Sequence, residues 1–355
     1  PFPARSRYLK AQPGLVEISG SQELTTMSDG EWLSVIRREY LEDFVLNGGA
    51  SVKFVIPGEE TEYQRLWQDL RIVARDDGYF FAPVSAANTK VQMVDQIFHE
   101  VARQIPWDEL AHAFLCTTLM ESSYLVPAER DEFSLSQIAY LNGMDLGEMR
   151  AVINNRLREH LTRDYSMTHE FRMAMLKLCQ AQLDSQDLGG GVAEAVREWL
   201  TGDLRLISGL KSASIFQKIG RHNGRDMLSS LSHWLHITGK SGLVLALDIS
   251  QFLESRRLEG DDRSLYYTPS AVVDGYEVLR QFVDSTDELH YCLLVVFAPP
   301  SFLTSEQRGV RKYDALYLRI WDEVRDRKRA NPLSTLIRIE KSEEPASAEA
   351  LWSRS

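Results

Sequence analysis

Two short stretches of this 355-residue sequence carry residue types that could handle a phosphate. The first is "VKFVIPGEETE", Val52 to Glu62: an apolar run, a Pro-Gly corner, then a helical pattern. A phosphate-binding loop has that layout. Its glycines let backbone N–H groups wrap the phosphates, a lysine neutralises them and a hydroxyl holds Mg²⁺. Gly58 and Thr61 are of the right type, but no lysine lies between Val55 and Gln64. Glu59, Glu60 and Glu62 stand where a di- or triphosphate would carry its charge. Carboxylates at a helix N-terminus are stabilising in their own right, by about 0.3–1 kcal/mol each. The loop can therefore satisfy its own anion site. Lys53 on the strand and Arg65 one turn into the helix do not replace the missing lysine. The same residues also read as an ordinary strand-to-helix turn.

The second stretch is "GLVLALDIS", an apolar strand tipped by Asp248. In an ATPase such an aspartate helps hold Mg²⁺, and a glutamate after it orients the attacking water. Ile249 follows here and can do neither. Asp248 also reads as a solvated or helix-capping acid. Both departures point away from turnover. Other chemistry is poorly represented. Cys116, Cys179 and Cys292 are far apart in apolar-periodic segments and read as buried thiols of a reducing compartment. His233 and His236 are three apart on a helix with no cysteine or acidic partner in the pattern, so no metal site is expected.

The elements that would position these residues follow from apolar period. Trp32, Ile36, Tyr40 and Phe44 share a helix face that ends at Gly48-Gly49. Strands are expected at 51–56, 79–84, 242–249, 291–298 and 334–339. Helices are expected after Tyr63, over "VQMVDQIFHEVARQI", at 271–284 and at 313–328. From about 107 to 240 the pattern is helical almost throughout. Strands apolar on both faces and separated by helices predict a largely parallel sheet covered on both sides. The expected organisation is an irregular arm (1–30), the first part of an α/β domain (31–106), a helical subdomain (107–240), the second part of the α/β domain (241–340) and a disordered tail (341–355). A net charge of −11 argues against a general nucleic-acid or membrane binder. No apolar run is long enough for a membrane span. The start, "PFPARSRYLK", lacks a secretory signal's apolar stretch, so a cytoplasmic location is expected.

The segment "WLTGDLRLISGLKSASIFQKIGRHNGRDMLSSLSHWLHITGKSGLVLALDI" resembles the ATP-binding P-loop proteins of BREX-type phage-defence clusters. The likeness lies in its "WL-x-G" element, the Gly-x-x-GL step and the apolar strand ending in Asp248. "REYLEDFVLNGGASVKFVI" and "FAPPSFLTSEQRGVRKYDALYLRI" are similar to the same family, so the resemblance runs from about Glu39 to Ile339. It implies a P-loop NTPase fold of the AAA+-like kind, a parallel sheet flanked by helices with a large helical insertion. It also implies ATP binding beside DNA and with defence partners. The departures at 57–61 and at Ile249 make a degenerate member the expectation. That member would be a structural or regulatory pseudo-ATPase, binding no cofactor or ATP/Mg only weakly. Gly58, Thr61 and Asp248 would be its vestigial nucleotide site. The alternative is an active ATPase with an unorthodox loop and Asp248 on the metal.

In an AAA+-like ring an arginine on the helix after Tyr313 reaches a neighbour's phosphates, and Arg311 and Arg319 are the candidates. Arg325, Arg327 and Arg329 extend a basic run, "RGVRKYDALYLRIWDEVRDRKR" from Arg308, that would meet DNA or an acidic partner in an oligomer. Interleaved Asp314, Asp322, Glu323 and Asp326 make a solvated face the competing reading. Lys218, Arg221 and Arg225 in "KIGRHNGRD" form a second, smaller patch.

Overall fold

The computed structural model describes residues 26–58, 60–183, 190–255, 264–321, 331 and 333–340. Strand β1 (Thr26–Ser28) leads into helix α1 (Asp29–Val35), which widens into a π-helical stretch over Ile36–Phe44. Then come β2 (Ala50–Pro57), α2 (Glu60–Asp76), β3 (Phe80–Ser85) and α3 (Val94–Gln104). A helical series follows: α4 (Trp107–Glu121), α5 (Leu135–Leu141), α6 (Leu146–Leu157), α7 (His169–Ala181), α8 (Gly190–Thr201) and α9 (Gly224–Ile237). The chain returns through β4 (Leu243–Asp248), α10 (Pro269–Asp284), β5 (Cys292–Phe297), α11 (Ser301–Thr304), α12 (Asp314–Ile320) and β6 (Leu336–Glu340).

The six strands form one sheet in the order β1-β6-β2-β5-β4-β3, and every pairing is parallel. Parallel neighbours need crossovers, and helices on both faces make the strands apolar throughout. Residue parity sorts the two cores. Val52, Phe54, Ile56, Leu245, Leu247, Leu294 and Val296 face α3, α10, α12 and the helical series. Val55, Val244, Ala246, Leu293, Val295 and Phe297 face α1 and α2.

Among the described residues between 107 and 240 every regular element is helical. One continuous buried cluster joins those helices to the sheet, with Phe114 packed on Trp234 (ring centroids 5.0 Å apart) and Trp107 on Phe171 (6.3 Å). The five strands expected from the sequence are all present. β1 is additional: Thr26–Ser28, within the stretch read as irregular, pairs with Arg338–Glu340 at the sheet edge. α12 ends at Ile320, and residues 322–330, read as its continuation, lie outside the described residues, as do 1–25 and 341–355. Cys179 and Cys292 are buried, Cys116 is half-buried, and all three are free thiols. Among the described residues no helix is long and apolar enough to cross a membrane.

The start of β4 rests on one backbone conformation. Gly242 has φ +147°, its carbonyl accepts from Phe80 N (2.9 Å), and a Cβ there would lie 2.3 Å from the Tyr291 carbonyl oxygen. Both the dihedral and the close approach exclude a side chain. Gly242→Ala is expected to destabilise the protein by about 2–4 kcal/mol. Urea denaturation of the two proteins measures this, and an equal midpoint would show that the strand start can shift freely.

Candidate functional site

In an open parallel sheet, ligands bind at the carboxyl ends of strands, where neighbouring crossovers leave to opposite faces. That point lies between β2 and β5. α2, after β2, buries Leu66, Leu70 and Ala74 against one face. α11 and α12, after β5, bury Phe302, Leu316 and Ile320 against the other. The register sets Ser85, Asp248, Phe297, Val55 and Ile337 level across the sheet. Gly58, the turn after Asp248 and the segment Ala298–Phe302 stand just beyond that row.

Pro57 is the last residue of β2 and α2 starts at Glu60, so two residues connect strand to helix. A phosphate loop spends about six residues between its strand and its lysine so that successive N–H groups can curl round a phosphate. Gly58 is half-buried in that corner, and Thr61 belongs to the first turn of α2. The sides of the crevice are filled with carbon. Phe297 meets Tyr63 (5.5 Å) and Trp67 (4.8 Å), and Phe302 stacks on Phe54 at 6.1 Å. β5 itself runs out into Ala298 and Pro299, which bring no polar side chain.

Asp248 is half-exposed and engaged at both oxygens. Its Oδ1 accepts the Ser250 N–H (2.8 Å) and its Oδ2 accepts the Ser85 hydroxyl (3.2 Å). The carboxylate thereby holds the backbone where the single turn Ser250–Leu253 begins and ties β4 to β3. Ile249 is wholly buried and belongs to the core. Lys53 is 2% exposed, and its Nζ donates to the carbonyls of Leu333 (2.7 Å) and Ser334 (3.2 Å) while lying 4.3 Å from the centre of the Tyr40 ring. It stitches β2 to the approach of β6 and points away from the crevice. Arg65 lies 3.7 Å from both Asp29 and Asp69. These residues do not fit a magnesium nucleotide. The loop is too short, the lysine is absent and the flanking strand ends are apolar. A separate cleft of about 260 Å³ beyond β3, lined by Asn88, Thr89, Lys90, Gln96 and Arg103 among others, is smaller than ordinary ligand pockets.

The candidate arginines separate. Arg308, the start of the basic run, is 4% exposed. It donates to the Phe252 carbonyl (3.0 Å) and the Tyr266 hydroxyl (3.0 Å), while its own carbonyl accepts the Tyr276 hydroxyl (2.6 Å). It is a strut inside the fold, which corrects its reading as surface charge. Arg311 is exposed and lies over the Tyr317 ring at 5.7 Å. Arg319 pairs with Asp284, which also meets Arg280. Arg280 binds Glu277 (2.6 Å), and the Tyr313 hydroxyl donates to Glu277 as well. The hydrogen bond from Arg280 holds the Glu277 carboxyl down to about 2. Arg319 is thus committed to α10. Arg325, Arg327 and Arg329 lie outside the described residues.

His233 contacts Asp164 (2.7 Å) and lies tilted against the Tyr291 ring (6.0 Å), while His236 stacks on the same ring at 3.7 Å. Ser85, Ser250 and the Glu277–Arg280–Asp284 network were not singled out from the sequence. Ser85 becomes visible only through strand register, while the 277/280/284 spacing is a helical i,i+3/i,i+4 pattern that could have been found.

A family model described as "BREX system ATP-binding protein BrxC/D" matches residues 129–350, more than half of the chain. The matched region runs from the helical series through β4, with Asp248, to β6, and it leaves out the corner at Pro57–Glu60. No curated protein and no solved structure matches.

Burial pushes the pKa of the Lys53 amine down from its ordinary 10.5 to about 8. Between those two values the unfolded chain holds more protons, so this residue's contribution improves as pH rises from about 8 and is least favourable below it. Lys53→Met abolishes that titration. The stability gap between wild type and variant should move in favour of wild type by on the order of 1–3 kcal/mol between about pH 7 and about pH 10. Denaturation curves across that range read it. A gap independent of pH would mean that the amine titrates as if in water.

Proposed function

The chain belongs to the family of BREX system ATP-binding proteins, and from that premise we propose that it is a pseudo-ATPase subunit. It would assemble with other proteins of an anti-phage defence system through a P-loop, AAA+-like scaffold, without turning nucleotide over. The strand order supports the scaffold. β5 stands between the loop-bearing β2 and the acid-tipped β4, and β6 flanks β2 on the other side, so the corner and the acid lie one strand apart at the same sheet edge. The observation that carries the loss of chemistry is the two-residue connection from Pro57 to Glu60. Two connecting positions supply fewer backbone amides than the about six that curl round a phosphate. The filled crevice, the engaged Asp248 and the buried Ile249 support the same reading.

One observation favours a second reading. Asp248 remains half-exposed at the end of the strand where a metal-binding aspartate belongs. In that reading a neighbouring subunit brings the missing cation, and the chain is half of a shared ATPase site.

Isothermal titration of the purified chain with ATP and Mg²⁺ distinguishes these. The expected outcome is neither saturable heat nor phosphate release above background, in the chain alone and in its complex with partners. Tight nucleotide binding by the isolated chain that vanishes in Asp248→Ala would refute the pseudo-ATPase. Turnover only in the complex, lost in the same variant, would establish the shared site.

A further inference from the structure

The chain carries 51 Asp and Glu in 355 residues, so about three would fall in any stretch of 22. Between Asp203 and Asp226 there are none, while Arg205, Lys211, Lys218, Arg221 and Arg225 all lie there. This segment connects α8 to α9. A 3₁₀ turn over Ile207–Ala213 buries Leu210 and Ala213, and Ile215 is buried beside it. Lys218 closes the loop, its Nζ donating to the carbonyls of Leu204 (2.8 Å) and Arg205 (3.0 Å). Trp199 fixes the far strand of the loop by donating its indole N–H to the Gln217 carbonyl (3.0 Å). A loop with its ends joined and its own small core is a compact Ω-loop, a frequent carrier of function.

The outer side of this loop is unusual. Phe216 is 66% exposed and Leu206 is 72% exposed, although the loop has a buried side that could have taken them. Ser214, at the turn before Phe216, holds a left-handed φ of +59°, a conformation costly for a residue other than glycine. Arg205, Lys211 and Arg221 are exposed, and among the described residues none of them is paired with a carboxylate. The acids nearest the loop are already engaged. Glu170 accepts from Gln217 (2.8 Å), Asp203 lies 3.6 Å from Arg103 and Glu288 lies 3.9 Å from Arg225. Ser208, Gly209, Ser212 and Ser214 are exposed as well, small residues that let a backbone approach closely.

Exposed cations and an exposed phenyl ring on one short loop, in a chain of net charge −11, match one class of ligand. The cations take successive phosphates, and the ring takes the face of an unstacked base. We propose that the loop 204–221 is a binding surface for single-stranded nucleic acid, with Phe216 as the stacking platform and Arg205, Lys211 and Arg221 on the phosphates. An acidic protein surface would pair with the cations but would leave the phenyl ring without a partner. Duplex would offer it no open base face. The surface does not depend on whether nucleotide binds at the sheet edge.

Fluorescence anisotropy with a labelled oligothymidylate of about sixteen residues tests this, at about 50 and about 200 mM salt. Single strand should bind more tightly than duplex of the same length. Phe216→Ala should weaken binding about tenfold. The double variant Lys211→Glu/Arg221→Glu should weaken it further and flatten the slope of log K against log salt by about 1.4. Lys240→Glu, an exposed cation in the turn after α9, should change nothing. All these side chains are exposed, so thermal midpoints should stay put. Absence of single-strand binding at the lower salt would overturn the proposal. So would a duplex bound as tightly with Phe216→Ala silent, a plain phosphate contact. Displacement by polyglutamate at equal charge, again with Phe216→Ala silent, would point to an acidic protein face and also overturn it.

Discussion

Parallel pairing dictates where anything can happen in this molecule. Parallel neighbours cannot be joined by a hairpin, so each strand must leave the sheet at the same edge and return by a crossover. Helices then cover both faces, and only the strand ends meet solvent with polar side chains. The row Ser85, Asp248, Phe297, Val55 and Ile337 marks that edge. Lys53 is the exception that shows the constraint. Set in the buried part of β2, it spends its amine on two backbone carbonyls and an aromatic face, and among the described residues no carboxylate pairs with it. A lysine two turns of pleat away from the corner cannot act for one that should be in it.

The closed crevice is consistent with its loop. A full phosphate loop would hold β2 and α2 apart and leave a space to be filled by ligand. With two connecting residues the helix starts at once, and Tyr63 and Trp67 in its first turns come down on Phe297. Phe302 does the same from the other face, stacked on Phe54 and edge-on to Tyr276. Each such ring removes about 2–3 kcal/mol worth of apolar surface from water. The sheet edge that lies open in ligand-binding parallel folds is here lined by rings that belong to the core.

Features set by local period were legible in the sequence. The five longer strands and the all-helical centre follow from runs of β-branched residues and from i, i+3, i+4 spacing. β1 was not legible because three residues carry no period, and their partner strand lies more than three hundred residues away. Arg308 reads as surface charge in the sequence for a related reason. A cation in a run of cations looks like surface, and only the tertiary meeting of Phe252, Tyr266 and Tyr276 makes it a buried strut. Asp248 was identified as chemically placed, but its capture by Ser85 depends on register between β3 and β4. At the loop between α8 and α9, Lys218, Arg221 and Arg225 stood out as charge. Leu206 and Phe216 did not, because an apolar residue in an apolar-looking stretch is expected to be buried.

Charge is segregated to a degree that folding alone does not require. A surface of mixed signs would serve solubility equally well, and the α10–α12 network shows how this chain neutralises arginines when they have only structural work to do. Arg280 and Arg319 are bracketed by Glu277 and Asp284. The loop after α8 departs from that pattern: Arg205, Lys211 and Arg221 have no carboxylate partner among the described residues, and they share a closed loop with an exposed phenyl ring and a left-handed serine. Exposed apolar surface and backbone strain each disfavour the free molecule, and neither helps the sheet or the helical series to fold. Their coincidence on one short loop fits a surface that binds a partner.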